Sequence, residues 1–134
     1  MNADPVVAVG AIIVDDGRVL LVRRGRAPAA GKWSVPGGRV AAGEQLRAAV
    51  AREVREETGL QVIVGDFAGW VERIDEQHHF VILDFFAGPV ERARALVAGD
   101  DAAEARWVPF AEVPRLDLVD GLLDFLRAVG SLPG

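Results

Sequence analysis

The first part of the chain alternates apolar runs with short polar breaks in a way that predicts β-strands. Residues 6–14 are apolar or glycine, and the Asp-Asp-Gly sequence at 15–17 separates them from a second largely apolar run at 19–24. An Asp-Gly pair between two apolar runs is typical of a β-hairpin. Residues 26–32 contain Pro and Gly and predict a loop, which leads into a short strand at 33–35. The Pro-Gly-Gly at 36–38 ends this strand and predicts a tight turn.

The segment 45–58 predicts a helix, because it contains neither Gly nor Pro and repeats an apolar residue at every fourth position. The repeating residues are Leu46, Val50 and Val54, which would lie on one face. Gly59 follows directly, as is typical of a left-handed helix C-cap. The sequence therefore predicts a central helix that ends at residue 58.

The second half of the chain predicts three more strands and a closing helix. Segments 61–74 and 80–87 are rich in Val, Ile and Phe, with a polar turn at 75–79 between them. After a polar stretch through residue 101, residues 105–108 predict a last strand and 118–129 a helix. Strands before, between and after helices indicate a mixed sheet with helices packed on its faces, in the α/β or α+β class.

Composition and charge narrow the possible functions. The 134 residues fit one domain, 1–134, and with 51% apolar residues that domain can bury a core. Cysteine is absent, which excludes disulfides and thiolate sites and predicts a cytoplasmic protein. The longest apolar run has nine residues, well short of the roughly 18 that cross a membrane. The net charge of -5 argues against a duplex nucleic acid as partner.

The predicted central helix carries a cluster of charged residues. Glu53, Glu56 and Glu57 spread over roughly 100° of the helix surface and so share one face. Because like charges at this spacing repel one another, a divalent cation such as Mg²⁺, which prefers carboxylate oxygens, would stabilise them. The alternative interpretation is a solvated acidic face on which Arg52 pairs with Glu56.

The residues around this cluster favour the metal site. The pattern consists of Gly38, Glu44, Arg52, Glu53, Val54, Glu56, Glu57, Gly59 and Leu60. Seven fixed residues, each with a frequency of roughly one in fifteen, and two aliphatic positions would match by chance in fewer than about one in a million chains. The stretch 38–60 resembles the Nudix box without a departure, and the Pro-Gly-Gly at 36–38 is also similar to the family.

This resemblance implies the Nudix fold, an α+β arrangement in which a mixed β-sheet is sandwiched between α-helices. It also implies an enzyme that uses Mg²⁺ or Mn²⁺ to hydrolyse a nucleoside diphosphate linked to another group. By the same resemblance, the metal ligands are Glu53, Glu56 and Glu57 with a backbone carbonyl of Gly37 or Gly38. The expected partner is therefore a small-molecule nucleotide.

The resemblance assigns further roles near the metal. Arg52 would orient the glutamates, with Glu44 supporting it. The general base would be Glu56 or Glu53. Glu104 is a further candidate for the base or for an additional ligand, because it lies just before the last predicted strand, where family members often carry a carboxylate.

Basic residues near the Gly-rich loop are candidates for phosphate binding. Arg23 and Arg24 end the second strand, so alternation directs one of them into the cleft, where the family places a phosphate-binding Arg. Lys32 and Arg39 flank the Gly-rich loop. The alternative for each is a solvated surface position.

Aromatic residues and histidines allow two interpretations. Trp33 and Phe80 would either stack on a nucleobase or belong to the core. His78 and His79 fall in a predicted turn, which favours polar turn residues over metal ligands.

The substrate is predicted from segments 78–87 and 104–109, which resemble the branch labelled ADP-ribose pyrophosphatase-like. We expect ADP-ribose or another nucleoside-diphosphate sugar. The alternative is an oxidised nucleoside triphosphate, as in MutT-like members that read the damaged purine with Asn or Asp. Asn2 lies at the wrong end of the chain for this, although Asp117 and Asp120 lie in roughly the right late loop. Dinucleoside polyphosphates are a further alternative.

A non-catalytic nucleotide-sensing module is the alternative from another functional class. The intact glutamates argue against it, because sensor versions of the family commonly lose one or more of them. The isoprenoid isomerase branch uses a Cys that this chain lacks, and the acidic balance disfavours messenger-RNA decapping. Homodimers are frequent in the family, so a homodimer stays open.

Overall fold

The computed structural model describes residues 4–26, 29–91, 96, 99 and 102–132, and shows a mixed β-sheet covered by helices. The elements within these residues are β1 (Val6–Asp15), β2 (Arg18–Arg24), β3 (Trp33–Ser34), β4 (Gly37–Arg39), α1 (Leu46–Thr58), β5 (Val62–Ile74), β6 (His79–Pro89), β7 (Ala102–Pro109), a 3-10 helix (Phe110–Arg115) and α2 (Leu122–Ala128). None of the helices described is long and apolar enough to cross a bilayer. The predicted α+β class is confirmed.

Strand β1 lies at the centre of the sheet and has different partners on its two edges. Along one edge, residues 6–13 pair in parallel with β6, which pairs in turn with β5. The other edge is shared, since residues 8–10 pair with β4 and residues 14–15 with β2. β2 continues away from β1 to pair with β3 and β7. Strands β1 and β2 therefore diverge away from their hairpin and leave an opening in the sheet, and β4 lies along the border of this opening.

Alternation along β1 sends side chains to two core layers, since successive strand residues point to opposite faces. Ala11 and Ile13 pack with Val50 of α1. Ile12 packs on the other side with Leu126 of α2. The two helices therefore cover opposite faces of the sheet, and α1 keeps its charged side toward the border at β4.

Two local predictions are confirmed by the backbone. Asp16 and Gly17 have φ angles of 53° and 72° at the hairpin turn. Positive φ at both central residues matches the right-handed twist of the strands that they join. Gly59, with φ of 76°, caps α1 and donates its N–H to the carbonyl of Arg55.

The end of the chain differs from the prediction. Helix α2 begins at Leu122 rather than at residue 118, because Gly121 has a φ of 81° and Leu118 bridges to Trp33. The last strand runs from Ala102 to Pro109 and is longer than predicted, since it pairs along β2. A 3-10 helix follows that the sequence pattern did not predict. Most of the polar stretch expected before this strand lies outside the described residues.

Strand β4 occupies residues for which the sequence predicts a tight turn. A Cβ at Gly37 would collide with the carbonyl oxygen of Val9 on β1, and a Cβ at Gly38 would collide with the carboxylate of Glu53 on α1. These glycines therefore allow a close approach of β4 to its neighbours on both sides. A Gly-Gly pair occurs both in tight turns and in strands that lie very close to their neighbours, so the sequence alone does not distinguish the two structures.

Replacing Gly37 with Ala should destabilise the protein, because the added methyl group would overlap the backbone of β1. We expect the free energy of unfolding to fall by about 1–3 kcal/mol, the usual cost of overpacking. Gly88→Ala in β6 is the matched control, since a Cβ there meets no atom within 4 Å. Chemical denaturation measures both, and equal stability of the two variants would contradict the close packing of β4.

Candidate active site on helix α1

Arg52 binds Glu44 through two parallel hydrogen bonds. Its Nε donates to Glu44 Oε2 at 2.7 Å, and its Nη2 donates to Glu44 Oε1 at 2.8 Å. The backbone N–H of Ala41 also donates to Glu44 Oε1, at 3.0 Å. These hydrogen bonds, chiefly those from Arg52, lower the pKa of Glu44 to about 2. Glu44 therefore stays ionised and anchors the guanidinium against the loop before α1.

The remaining donors of Arg52 reach the glutamates of its own helix. Nη1 donates to Glu53 Oε1 at 2.8 Å and to Glu56 Oε2 at 3.2 Å. Nη2 also donates to the carbonyl of Arg39 at 3.0 Å. Hydrogen bonding to Glu44, followed by the contacts with Glu53, raises the pKa of Arg52 despite desolvation. One cation thus joins the helix, the preceding loop and β4 in what we term the Arg52 cluster, formed by Arg39, Glu44, Arg52, Glu53 and Glu56.

Glu57 ties the helix to the glycine strand. Its Oε1 accepts a hydrogen bond from the backbone N–H of Gly37 at 2.7 Å. Gly38, the next residue, lies against the carboxylate of Glu53. The structure therefore places Glu53 and Glu57 of α1 next to the glycine backbone of β4.

The donor set fits a hard divalent cation, because Glu53, Glu56 and Glu57 offer carboxylate oxygens beside the two glycines of β4. In the described ranges, however, no three acidic or histidine side chains are gathered closely enough to hold a metal ion. Arg52 and the N–H of Gly37 hold these carboxylates instead. Binding a cation would exchange some of these hydrogen bonds for ligation.

Other candidates form two ion pairs, one of them across neighbouring strands. Arg23 Nε lies 3.5 Å from Glu104 Oε1, on neighbouring positions of β2 and β7. Lys32 Nζ lies 3.7 Å from the exposed Asp120 carboxylate, in the loop before α2. Both pairs are partly solvated, so their contribution to stability is small.

The aromatic candidates occupy different environments. Trp33 is only 7% exposed and packs in the core cluster of α2. Phe80 is half-buried, with the Arg39 guanidinium 5.6 Å from its ring centroid and the His78 ring stacked at 5.5 Å. Of the two, Phe80 therefore has the more accessible ring. His79 begins strand β6 rather than lying in the turn, where the sequence predicts it, because it pairs with β5.

Each of the two histidines lies within hydrogen-bond distance of a carboxylate. His78 Nδ1 lies 3.2 Å from Asp75 Oδ1, and His79 Nε2 lies 2.9 Å from Glu72 Oε2. Hydrogen bonds from the backbone, that of Gln77 first, lower the pKa of Asp75. These contacts are those of polar residues that stabilise the β5–β6 turn.

Sequence reasoning missed Asp84, a carboxyl group inside β6. It is 3% exposed, and its Oδ1 lies over Gly10, where a Cβ would leave no space. Among the residues that the structure describes, Oδ1 has no hydrogen-bond partner, which costs about 1–3 kcal/mol for a buried polar group. Burial raises the pKa of Asp84 to about 7, against the opposing influence of Arg73. The available signal was one acidic residue within the apolar run 80–87.

Arg73 on β5 lies beside this carboxyl group. Its Nη1 donates to the carbonyl of Asp120 at 3.0 Å. Burial lowers the pKa of Arg73, Asp84 acts to raise it, and the nearby charge of Arg24 lowers it further. The charge of Arg24, the last residue of β2, therefore acts on Arg73.

Comparison with known proteins places this arrangement in a family. The family profile described as NUDIX domain matches residues 4–129. The chain belongs to the Nudix hydrolase family. The match extends from before β1 to the end of α2, so the resemblance seen in residues 38–60 extends to almost the whole chain.

Individual Nudix relatives differ in name. An ADP-ribose pyrophosphatase of Methanocaldococcus jannaschii is 37% identical over 118 residues, which cover 84% of this chain but only 66% of that protein. The nucleoside triphosphatase NudI of Salmonella arizonae is 31% identical over 134 residues, covering 90% of this chain and 94% of that protein. The crystal structure of a MutT protein from Methanosarcina mazei Go1 superposes with a TM-score of 0.84 at 30% identity, over 98% and 96% of the two chains.

Arg52→Gln should lower the stability of this Nudix domain, because it removes the charge that holds Glu44, Glu53 and Glu56 together. We expect a loss of about 1–3 kcal/mol in chelator, from charge-assisted hydrogen bonds, and a smaller loss with Mg²⁺. Thermal unfolding with and without Mg²⁺ measures this. Arg55→Gln, an exposed position on the same helix, is the control. A melting shift that Mg²⁺ does not change would contradict the role of Arg52 as counter-charge.

Proposed function

We propose that this Nudix domain hydrolyses the diphosphate linkage of a nucleoside diphosphate derivative with the help of Mg²⁺ or Mn²⁺. The substrate class that we propose is ADP-ribose or another nucleoside-diphosphate sugar. The observation that carries the proposal is the Arg52 cluster together with Glu57, because Glu53 and Glu57 lie against the backbone of Gly38 and Gly37. The name of the Methanocaldococcus relative supports the substrate class.

The residues of α1 would prepare the site for this reaction. Hydrolysis of a diphosphate needs a positioned water and neutralisation of the charge that develops on the phosphoryl oxygens. A bound divalent cation supplies charge neutralisation and lowers the pKa of a bound water. Glu53, Glu56 and Glu57 would hold that cation, while Arg52 fixes the first two and Gly37 fixes the third.

Glu56 is the better candidate for the general base. Its side chain is 54% exposed, and its 3.2 Å hydrogen bond to Arg52 is longer than the 2.8 Å bond that Glu53 makes. Glu53 is only 15% exposed and lies against Gly38. Glu56 can therefore reach a solvent molecule with a smaller loss of protein contacts. Glu104 is the second candidate, and its ion pair with Arg23 would have to open first.

Substrate contacts are proposed on both sides of the opening. Arg24 lies near Arg73 and would attract phosphate oxygens. Arg39 and Phe80 lie together at the border of β4, where a base or sugar would meet a cation and a ring face. Trp33 is a weaker candidate for stacking, because Arg106 covers its ring at 5.5 Å within the core.

A nucleoside triphosphate, such as an oxidised dNTP, is the second candidate substrate. The name of the Salmonella relative, a nucleoside triphosphatase, favours it. Asp117 and Asp120 lie in the loop before α2, and Asp120 exposes its whole side chain. A non-catalytic sensing module is the third candidate, and the intact Glu53, Glu56 and Glu57 argue against it.

We expect hydrolysis to require Mg²⁺ or Mn²⁺, and Glu53→Gln and Glu57→Gln each to lower kcat by at least about 10²-fold, because each variant removes a ligand charge. Steady-state rates and melting temperatures separate loss of catalysis from loss of folding. Glu76→Gln, in the exposed β5–β6 turn, is the control. Full activity in excess chelator, or in both variants, would contradict the metal site.

The substrate class can be tested by comparing the kcat/KM values of two candidate substrates. We expect ADP-ribose, cleaved to AMP and ribose 5-phosphate, to give a higher kcat/KM than 8-oxo-dGTP under the same metal and salt. The reason is that discrimination of an altered base edge needs dedicated side-chain hydrogen bonds. The Asn that could make them, Asn2, lies at the wrong end of the chain. A preference for 8-oxo-dGTP that disappears in Asp117→Ala or Asp120→Ala would establish the triphosphate instead.

A further inference from the structure

The last turn of α1 carries Glu56 and Glu57, two of the proposed metal ligands. A helix leaves the carbonyl groups of its last four residues without a donor from the helix itself. Since α1 ends at Thr58, these residues include Arg55 and Glu57. The carbonyl of Arg55 is satisfied locally, because Gly59 donates its N–H to it at 2.9 Å. The donor for Glu57 comes from a distant part of the chain.

Gly99 supplies this donor. Its backbone N–H donates to the carbonyl oxygen of Glu57 at 3.0 Å. Earlier in the same segment, the side chain of Leu96 packs against the core cluster under α1. Ala102, the first residue of β7, donates its N–H to the carbonyl of Gly99 at 3.2 Å. Gly99 is therefore bonded to the end of α1 through its N–H and to the start of β7 through its carbonyl.

The contact between Gly99 and α1 leaves no space for a side chain. A Cβ at Gly99 would collide with the carbonyl oxygen of Glu56 and lie 3.3 Å from the Cα of Glu57. Because these are backbone atoms, rotation of a side chain cannot relieve the overlap. An added methyl group would therefore push apart Gly99 and the last turn of α1, with the cost that overpacking carries.

A displacement of this turn would act directly on the candidate site. The carboxylate of Glu57 accepts a hydrogen bond from the N–H of Gly37 at 2.7 Å, and that of Glu56 accepts one from Arg52 at 3.2 Å. A misplacement of about 1 Å can lower the rate of a catalysed reaction by about 10²-fold. The last turn of α1 is thus held through its backbone by Gly99 and through its side chains by Gly37 and Arg52.

We propose that Gly99 is a positioning residue for the metal site. Its close contact and its hydrogen bond set the place of the last turn of α1, and with it the carboxylates of Glu56 and Glu57. The proposal rests on the proposed function, in that these carboxylates bind Mg²⁺. Because the carbonyl of Gly99 also binds the start of β7, the same residue fixes the strand that carries Glu104, the second candidate for the general base.

Metal binding and turnover by Gly99→Ala test this role. We expect the Kd of Mg²⁺, measured by calorimetry without substrate, to rise about 10-fold, because Mg²⁺ demands near-ideal ligand geometry. At saturating Mg²⁺, kcat for ADP-ribose should fall by at least about 10-fold while KM stays within about 2-fold, since the change moves the metal ligands and not the proposed substrate contacts.

Two control variants separate positioning from a loss of stability. Gly88→Ala makes the same change where a Cβ meets no atom within 4 Å, and it should keep the wild-type Kd of Mg²⁺. Leu96→Ala removes packing from the same segment without adding an atom against α1. It should lower the melting temperature, as loss of apolar packing does, and leave both the Kd of Mg²⁺ and kcat unchanged.

Hydrogen exchange in the wild type gives a second test, which decides the matter if Gly99→Ala does not fold. Coupling between two sites is reciprocal, so bound Mg²⁺ should stabilise the hydrogen bond of Gly99 if that bond holds the ligands in place. We expect Mg²⁺ to slow exchange of the Gly99 N–H about 10-fold by NMR. The N–H of Val129, which is bonded to Phe125 in α2 on the opposite face of the sheet, should show no such change.

Two results would overturn the role of Gly99. One is a Kd of Mg²⁺ and a kcat that Gly99→Ala leaves at the wild-type values, or a rise in Kd that Leu96→Ala reproduces. The other is exchange of the Gly99 N–H that Mg²⁺ does not slow. A wild type that binds Mg²⁺ and hydrolyses no nucleotide would contradict the proposed function alone, and one that binds no Mg²⁺ would overturn both.

Discussion

The guanidinium group of Arg52 holds together carboxylates that would otherwise repel one another beside a single helix. Its three nitrogen atoms donate to Glu44, Glu53, Glu56 and the carbonyl of Arg39. The planar, permanently charged fork of Arg suits this arrangement, whereas Lys would offer a single point charge. Together with the hydrogen bond from Gly37 to Glu57, this residue sets the position of the charged face of α1 against β4.

The second constraint is the absence of side chains at Gly37 and Gly38 of β4. Gly37 and Gly38 let the strand lie between β1 and α1, so that a backbone N–H reaches Glu57 and the chain passes directly over Glu53. Strand β1 can accept β4 because β2 leaves its edge after the hairpin. The opening of the sheet and the glutamate helix are therefore brought together by the same short strand.

Much of the fold could be predicted from local sequence, since the features concerned depend on near neighbours. The hairpin turn at Asp16 and Gly17 and the cap at Gly59 follow from backbone conformations that these residues favour. The start of α2 could not be predicted, because the apolar pattern continues through Leu118, which pairs with Trp33 instead. Hydrophobic periodicity does not distinguish a helix from a segment that packs beside a strand.

The sequence by itself determined the family, through the motif at residues 38–60. It also determined the glutamate face of α1, because a helix places residues three and four apart on one side whatever surrounds it. Only the tertiary structure decided that Arg52 reaches back to Glu44 and that Trp33 is buried in the core. Asp84 also belongs to this second group. Its burial, and the open acceptor over Gly10, arise from strands that are distant in the chain, and no local pattern encodes which residues will face one another across a sheet.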